Sequence, residues 1–360
     1  MRYFLPRRLL IICTRRLGDV LLVTPLIRTF KSHWPETKID LLVFKGTESV
    51  LNANPDIHTV ISIEEHPHFF QHYQLIKKIF RRYDLAVSTL PGDKANLYAF
   101  FASNYRLGML GMDKSRWWKR FLLSKAVSFD NISTHTVLMN LRLAEALQLT
   151  PCPEIVIAWQ EQDKHNVIQW IDLKKKLVIL HLCPKFSYKE WITAGWIGLA
   201  RWLLQANYSV VLTGDNTKTE KKMAADLMNS LPGGVINTVG HLSLSQLGFL
   251  LSQAKLYVGP DTVVTHMAAA LGTPTLALFG PSNPVKWGPW PKSWALSNPF
   301  VRMGSQYRNN VYLMQGLGAC VPCFQEGCER HTQSHSRCLK NITLGQVIDK
   351  VQLLIEHTSI

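Results

Sequence analysis

Short, nearly unbroken apolar runs recur along the chain, with longer segments of mixed character between them. In the first half, Leu9–Cys13, Ile39–Phe44, Thr59–Ile63 and Leu85–Thr89 read as strands. Val20–Ser32, Gln71–Arg82 and Thr134–Leu147 carry helical spacing. Apolar strands alternating with helices predict a parallel sheet covered on both faces. The pattern pauses at Thr150–Glu154, where Pro151 and Pro153 mark an inter-domain connection, and then starts again. Strands are expected at Leu177–Leu182, Ser209–Thr213, Val235–Val239, Leu256–Gly259 and Thr275–Phe279, and helices at Trp196–Gln205 and Glu220–Ser230. The predicted organisation is therefore two doubly wound Rossmann-like domains, 1–152 and 153–342. A C-terminal helix follows within 343–360, placed as a candidate to pack back on the N-terminal domain. Two such sheets facing each other would set a cleft between their strand C-terminal ends, where ligands of such sheets bind.

Length supports two domains, because a single core seldom grows past about 250–300 residues and this chain has 360. No apolar run approaches the roughly 20 residues a membrane-spanning helix needs. Leu9–Cys13 lies among Arg7, Arg8, Arg15 and Arg16 and lacks a signal-peptide cleavage site, so it reads as a buried first strand. The expected location is the cytoplasm. No G-x-G-x-x-G fingerprint occurs, so a dinucleotide oxidoreductase is not supported.

Charge changes the picture more than length does. The formal net charge is +15, from 40 Lys and Arg against 25 Asp and Glu. Lys77, Lys78, Arg81 and Arg82 share one helical face. Arg106, Lys114, Arg116, Lys119, Arg120 and Lys125 crowd a stretch whose only acid is Asp113 and which holds Trp117 and Trp118. Nucleic acid, an anionic membrane surface and a phosphorylated acceptor are all possible partners, or the clusters are solvated basic faces. Tryptophans among arginines favour lipid headgroups, hence a peripheral position at a membrane, with no nucleic acid expected.

The segment Asp261 to Trp290 carries the densest chemical signal. A strand ends near Gly259 and a small-residue helical run follows, so a helix N-terminus with free N–H groups stands at the sheet's edge, where phosphate binds. Thr262 adds a hydroxyl and His266 an imidazole one turn on; a capped core helix with Asp261 or Thr262 as N-cap explains the same residues equally well. Asp19, after Gly18 and the first strand, is either an N-cap or a carboxylate exposed in a cleft. Lys189, in the loop Pro184–Trp191, is either a solvated lysine or a cation for an anionic leaving group, with Lys185 a weaker companion.

Asp261, Thr262 and His266 fall into a pattern D-T-x-x-T-H-x-A-A-A-L-G-T-P-x-x-x-L-F-G-P-x-x-P, running from Asp261 to Pro284, that resembles the donor-site segment of glycosyltransferase family 9. The run Arg16-Leu17-Gly18-Asp19-Val20-Leu21-Leu22 with Thr24-Pro25-Leu26, and Asn54-Pro55-Asp56 further on, resemble the same family's N-terminal signatures. The resemblance implies a GT-B fold and an inverting transfer of L-glycero-D-manno-heptose from ADP-heptose to the lipid A–core acceptor of lipopolysaccharide, in a heptosyltransferase III-like role. It implies Asp19 as general base, and Lys189, Asp261, Thr262, Val263 and His266 as the donor-binding set, with Leu242 beside the adenine, where core packing explains it nearly as well, and Glu220 as a candidate ribose contact. The family usually has glycine where this chain has Val263. No Asp-x-Asp pair occurs, which speaks against a metal-dependent GT-A enzyme, and no cofactor is implied for catalysis. A nucleotide-sugar epimerase of similar architecture and a non-catalytic basic binding protein are the alternatives.

The chain has seven cysteines; Cys320, Cys323, Cys328 and Cys338 are spaced to hold a structural zinc as four thiolates, or are reduced thiols or a disulfide.

Overall fold

The computed structural model describes residues 5–111 and 120–357. Asp113, Lys114, Arg116, Trp117, Trp118 and Lys119 of the second basic cluster lie outside the described residues. The chain divides into two compact units, 1–158 with 295–297, and 159–294 with 298–360. The division falls just beyond the proline-containing connection.

The first unit holds β1 (Arg8–Cys13), α1 (Leu17–Leu21), α2 (Thr24–His33), β2 (Lys38–Phe44), β3 (Thr59–Ile63), α3 (Phe69–Ile79), β4 (Leu85–Ser88), α4 (Asp93–Ala102), β5 (Tyr105–Leu110), β6 (Lys125–Ser128) and α5 (Thr136–Glu145). Its six strands pair in the order β3-β2-β1-β4-β5-β6, all parallel. Leu9 through Ile12 are fully buried, as a central parallel strand requires.

The helix expected over Val20–Ser32 is two helices. Pro25 has no N–H to give the Leu21 carbonyl, and the Thr24 hydroxyl donates to that oxygen instead at 2.8 Å. The Asn140 side chain, from α5, donates to the next carbonyl, Leu22, at 3.0 Å. The break is thus stapled from both sides, and it leaves α1 as a short helix carrying Asp19. Asn54-Pro55-Asp56 serves a structural purpose: Asn54 accepts the Asp56 N–H at 3.0 Å, and Asp56 pairs with Arg28 of α2 at 2.6 Å.

The second unit holds α6 (Glu161–Ile168), β7 (Leu177–His181), α7 (Thr193–Gln205), β8 (Ser209–Thr213), α8 (Lys218–Asn229), β9 (Val235–Asn237), α9 (Leu244–Gln253), β10 (Leu256–Pro260), α10 (Val263–Leu271), β11 (Thr275–Phe279), α11 (Pro284–Trp287), β12 (Gln306–Arg308), β13 (Val311–Gln315), α12 (Arg337–Lys340) and α13 (Leu344–His357). The strand order is β12-β13-β11-β10-β7-β8-β9, parallel except for the β12–β13 pair. Val347, Val351 and Leu354 of α13 are buried in the core of the second unit, among Leu199, Leu256 and Leu276. The helix's apolar stripe matches the surface beside α7, β10 and β11 and is satisfied there.

In each sheet the strand order reverses once, at β1/β4 and at β7/β10. Loops after the strands at such a switch point diverge and leave room for a ligand. Asp19 follows β1, Lys189 follows β7, and Asp261 follows β10.

α10 ends at Gly272, whose φ of 87° is left-handed, and Lys292 reaches back to the Leu271 carbonyl at 3.3 Å. Gly272→Ala strains this stop and should cost about 1 kcal/mol, with a thermal midpoint lower by about 2 °C, read by calorimetry.

Candidate functional site

Around the β7/β10 switch point of the second unit, several residues singled out in the sequence meet. Lys189 ends a short turn, Ser187–Lys189, and its Nζ lies 2.5 Å from Asp261 Oδ2. The same carboxylate oxygen accepts the Ser282 hydroxyl at 2.7 Å. Asp261 therefore does not cap α10; it orients a lysine and a serine. Its side chain is only 8% exposed. Burial alone would raise its carboxyl, but Lys189, His266 and the two hydrogen bonds outweigh that and hold it below the ordinary value.

Thr262 occupies the N-cap position of α10 without making a side-chain cap. Its hydroxyl lies 3.4 Å from that of Thr265, which donates to the Pro260 carbonyl and sits 2.9 Å from the Tyr257 hydroxyl. The first N–H groups of α10 are therefore left without a side-chain acceptor, the arrangement that suits an anionic ligand. Val263 opens the helix half-buried.

His266 completes the cluster. Its Nδ1 is buried and has no hydrogen-bond partner among the described residues. Burial pushes the ring down to about 4, against the opposing pull of Asp261, so it is neutral at pH 7. His181, at the end of β7, is likewise lowered to about 4 by burial, with Thr213 Oγ1 3.1 Å from its Nδ1. Both folded values lie below that of a free histidine, so the unfolded chain binds more protons as pH falls through 6.5. Stability should be fully present above pH 6.5 and be lost towards pH 4, by on the order of 3 kcal/mol per ring. Glu190 and Glu220, whose carboxyls burial raises, act in the opposite sense in the lower part of that window. Urea unfolding at pH 7 and pH 4.5 measures the loss, and His181→Gln should reduce it.

The loop carrying Lys189 is held rigidly. Trp191 is buried, packs at 5.1 Å edge-on to Trp196, and donates its indole N–H to the Ile342 carbonyl at 2.8 Å. It lies so close over Gly195 that a Cβ there would come within 2.5 Å of the ring. Ser336 donates to the Tyr188 carbonyl at 2.6 Å, and Phe324 N–H donates to the Pro281 carbonyl at 2.9 Å. The cysteine-rich stretch thus braces both the Lys189 loop and the Ser282 loop. Its cysteines are unpaired, and burial, with the neighbouring thiols, raises Cys338 to about 11. Among the described residues no three His, Cys, Asp or Glu side chains converge to hold a metal.

Ser282 was not foreseen, because it fills an unspecified position of the motif. The available signal was its place just past β11, at the same sheet edge. Glu220 accepts the Asp215 N–H at 2.7 Å and so shapes the loop after β8, while Leu242 is half-buried in the turn after β9. Lys185 is exposed, with its Nζ 5.9 Å from the Phe186 ring.

In the first unit, Asp19 is not an N-cap either: Arg16 takes that position and Asp19 lies in the first turn of α1. Its side chain is 15% exposed, with Arg15 Nε 3.8 Å from Oδ1. A Cβ at Gly18 would meet nothing within 4 Å, so packing does not demand glycine there. Open space beside the backbone suits close approach of a substrate.

Compared with known families, residues 73–302 match the model for glycosyltransferase family 9 (heptosyltransferase). Lipopolysaccharide heptosyltransferase 3 of Escherichia coli K12 is 27% identical over 320 residues, covering 82% of this chain and 90% of that protein. Among solved structures, a family 9 glycosyl transferase from Veillonella parvula superposes with a TM-score of 0.78 at 17% identity, covering 98% and 97% of the two chains. The E. coli ADP-heptose LPS heptosyltransferase II gives 0.75 at 20% identity, covering 98% and 100%. The fold shared with them is GT-B, as the sequence resemblance implied.

Proposed function

Because the chain belongs to glycosyltransferase family 9, it is a glycosyltransferase, and we propose that it moves L-glycero-D-manno-heptose from ADP-heptose to the inner core of lipopolysaccharide. The observation that carries the donor assignment is the Lys189–Asp261–Ser282 cluster beside the uncapped start of α10. An ammonium held by a buried carboxylate, several N–H groups and a neutral imidazole with an unused Nδ1 form a set that suits a diphosphate. Support for ADP-heptose and for a lipopolysaccharide acceptor comes from what the related proteins are named for.

In this reading Asp19 takes the proton of the acceptor hydroxyl while that oxygen attacks the anomeric carbon, and the bond to ADP breaks on the opposite side. The product has the inverted configuration, and the charge growing on the departing diphosphate is met by Lys189 and the α10 N–H groups. Asp261 keeps Lys189 in place rather than touching phosphate, since its own charge would repel the leaving group. His266 is left to hydrogen-bond the donor through Nδ1.

The test is ADP release by purified protein from ADP-heptose, with and without heptose-deficient core acceptors. Release that depends on one acceptor supports the transferase and identifies that acceptor. Conversion of the nucleotide sugar with no acceptor present would instead make the protein an epimerase, and no affinity for nucleotide sugar would leave a basic binding protein.

A further inference from the structure

We propose that the outward face of α3 seats the protein on an anionic lipid surface. The helix reads Phe69-Phe70-Gln71-His72-Tyr73-Gln74-Leu75-Ile76-Lys77-Lys78-Ile79. Leu75 and Ile79 are buried against Tyr98, Ala99 and Ala102 of α4 in the core of the first unit. On the other side run two rows at four-residue spacing: Phe69, Tyr73 and Lys77, and beside them Phe70, Gln74 and Lys78. Phe69 is 87% exposed, Phe70 64% and Tyr73 55%. Three large aromatic side chains side by side in water are unfavourable unless something covers them.

The chain continues in the same character beyond the helix. Phe80 is also exposed, and the Arg81 guanidinium lies 5.8 Å from both the Phe80 and the Phe100 rings, with Arg106 4.9 Å from Phe100. Arg81 donates to the Ser103 carbonyl at 2.9 Å. Among the described residues, Lys77, Lys78, Arg81 and Arg106 have no carboxylate partner. Asp84, close by in sequence, is occupied with the backbone N–H groups of Arg7 and Arg8.

The order of these residues selects the occupant. Along α3 itself, aromatic side chains fill the N-terminal half of the exposed face and cations the C-terminal end; past the helix, at that cationic end, Arg81 and Arg106 lie over Phe80 and Phe100. Phe69 and Lys78 are separated by about 14 Å along the helix axis. A bilayer interface offers those two layers at that scale: an apolar boundary some 5–10 Å deep and a plane of phosphates above it. A single-stranded nucleic acid, by contrast, is served by rings set among cations that follow its backbone. Lipid binding by this face is independent of which sugar donor or acceptor the protein uses.

The experiment is co-sedimentation of the full chain with vesicles of phosphatidylcholine, alone or with phosphatidylglycerol, in the absence of any sugar substrate. The wild type should bind the mixed vesicles and not the neutral ones, and binding should weaken as salt rises. K77Q/K78Q should lower the partition coefficient about 25-fold, from roughly fivefold per lysine at an anionic surface. F69S/F70S/Y73S should lower it at least about tenfold even at low salt. All five side chains are exposed, so unfolding midpoints should match the wild type and exclude a folding defect. Partitioning unchanged by either variant, or equal on neutral and anionic vesicles, overturns the proposal. Retention on single-stranded nucleic acid with none on vesicles overturns it as well.

Discussion

Asp19→Asn is expected to lower acceptor-dependent turnover by about a hundred- to ten-thousandfold, the range that a positioned general base contributes. The amide keeps the shape of the carboxylate and cannot take the acceptor proton. ADP affinity should be unchanged, because the donor cluster is built on residues of the other unit. Loss of the Arg15–Asp19 pair, a contact at 3.8 Å with the arginine half-exposed, should itself cost no more than about 1 kcal/mol of stability. Steady-state ADP release, ADP titration calorimetry and a thermal scan on one preparation separate these effects. A variant that keeps half of the wild-type turnover would move the base elsewhere.

Lys189→Met should be the other severe substitution, through two separable losses. Turnover should fall about a hundred- to a thousandfold when the cation for the leaving diphosphate is removed. Stability should fall by about 3 kcal/mol, because Asp261, 8% exposed, is left as a buried carboxylate whose remaining hydrogen bond in this cluster is the one from Ser282. The double variant Lys189→Met, Asp261→Asn tells the two apart. Its unfolding midpoint should return most of the way to the wild type, because no unpaired charge remains, while its turnover stays low. If the second substitution restored turnover, the lysine would serve only to neutralise Asp261, and the proposed role at the diphosphate would fall.

The strands were the most legible part of the chain, for a physical reason. A parallel strand covered on both faces must be apolar at successive positions, so runs such as Leu9–Cys13 and Leu177–Leu182 announce themselves. The helix α4 did not, because apolar Leu97, Phe100 and Phe101 on its less buried side blur the stripe of buried Ala95, Tyr98, Ala99 and Ala102. The break between α1 and α2 hinged on Thr24-Pro25, where a proline can equally begin a helix or interrupt one. The helix α9 had a readable start, the capping box of Ser243 and Gln246, that periodicity alone passes over.

For the site, residue identities were legible and partnerships were not. Lys189 and Asp261 are 72 positions apart, and only the adjacency of β7 and β10 brings them together. That adjacency follows from sheet order, in which β10 returns to the far side of β7 instead of extending the row beyond β9. Asp261, with the wrong charge for phosphate, could be placed near the donor by the family resemblance alone, before its partner was known. Ser282 became visible only with the carboxylate it serves.

The most direct measurement is the mass and anomeric configuration of the acceptor after incubation with ADP-heptose. A heptose-deficient core acceptor should gain one heptosyl residue, with configuration inverted from the donor's, in step with ADP formed. An acceptor of unchanged mass while the nucleotide sugar is converted to an isomer would contradict the transfer, and a product of retained configuration would contradict the single displacement assigned to Asp19.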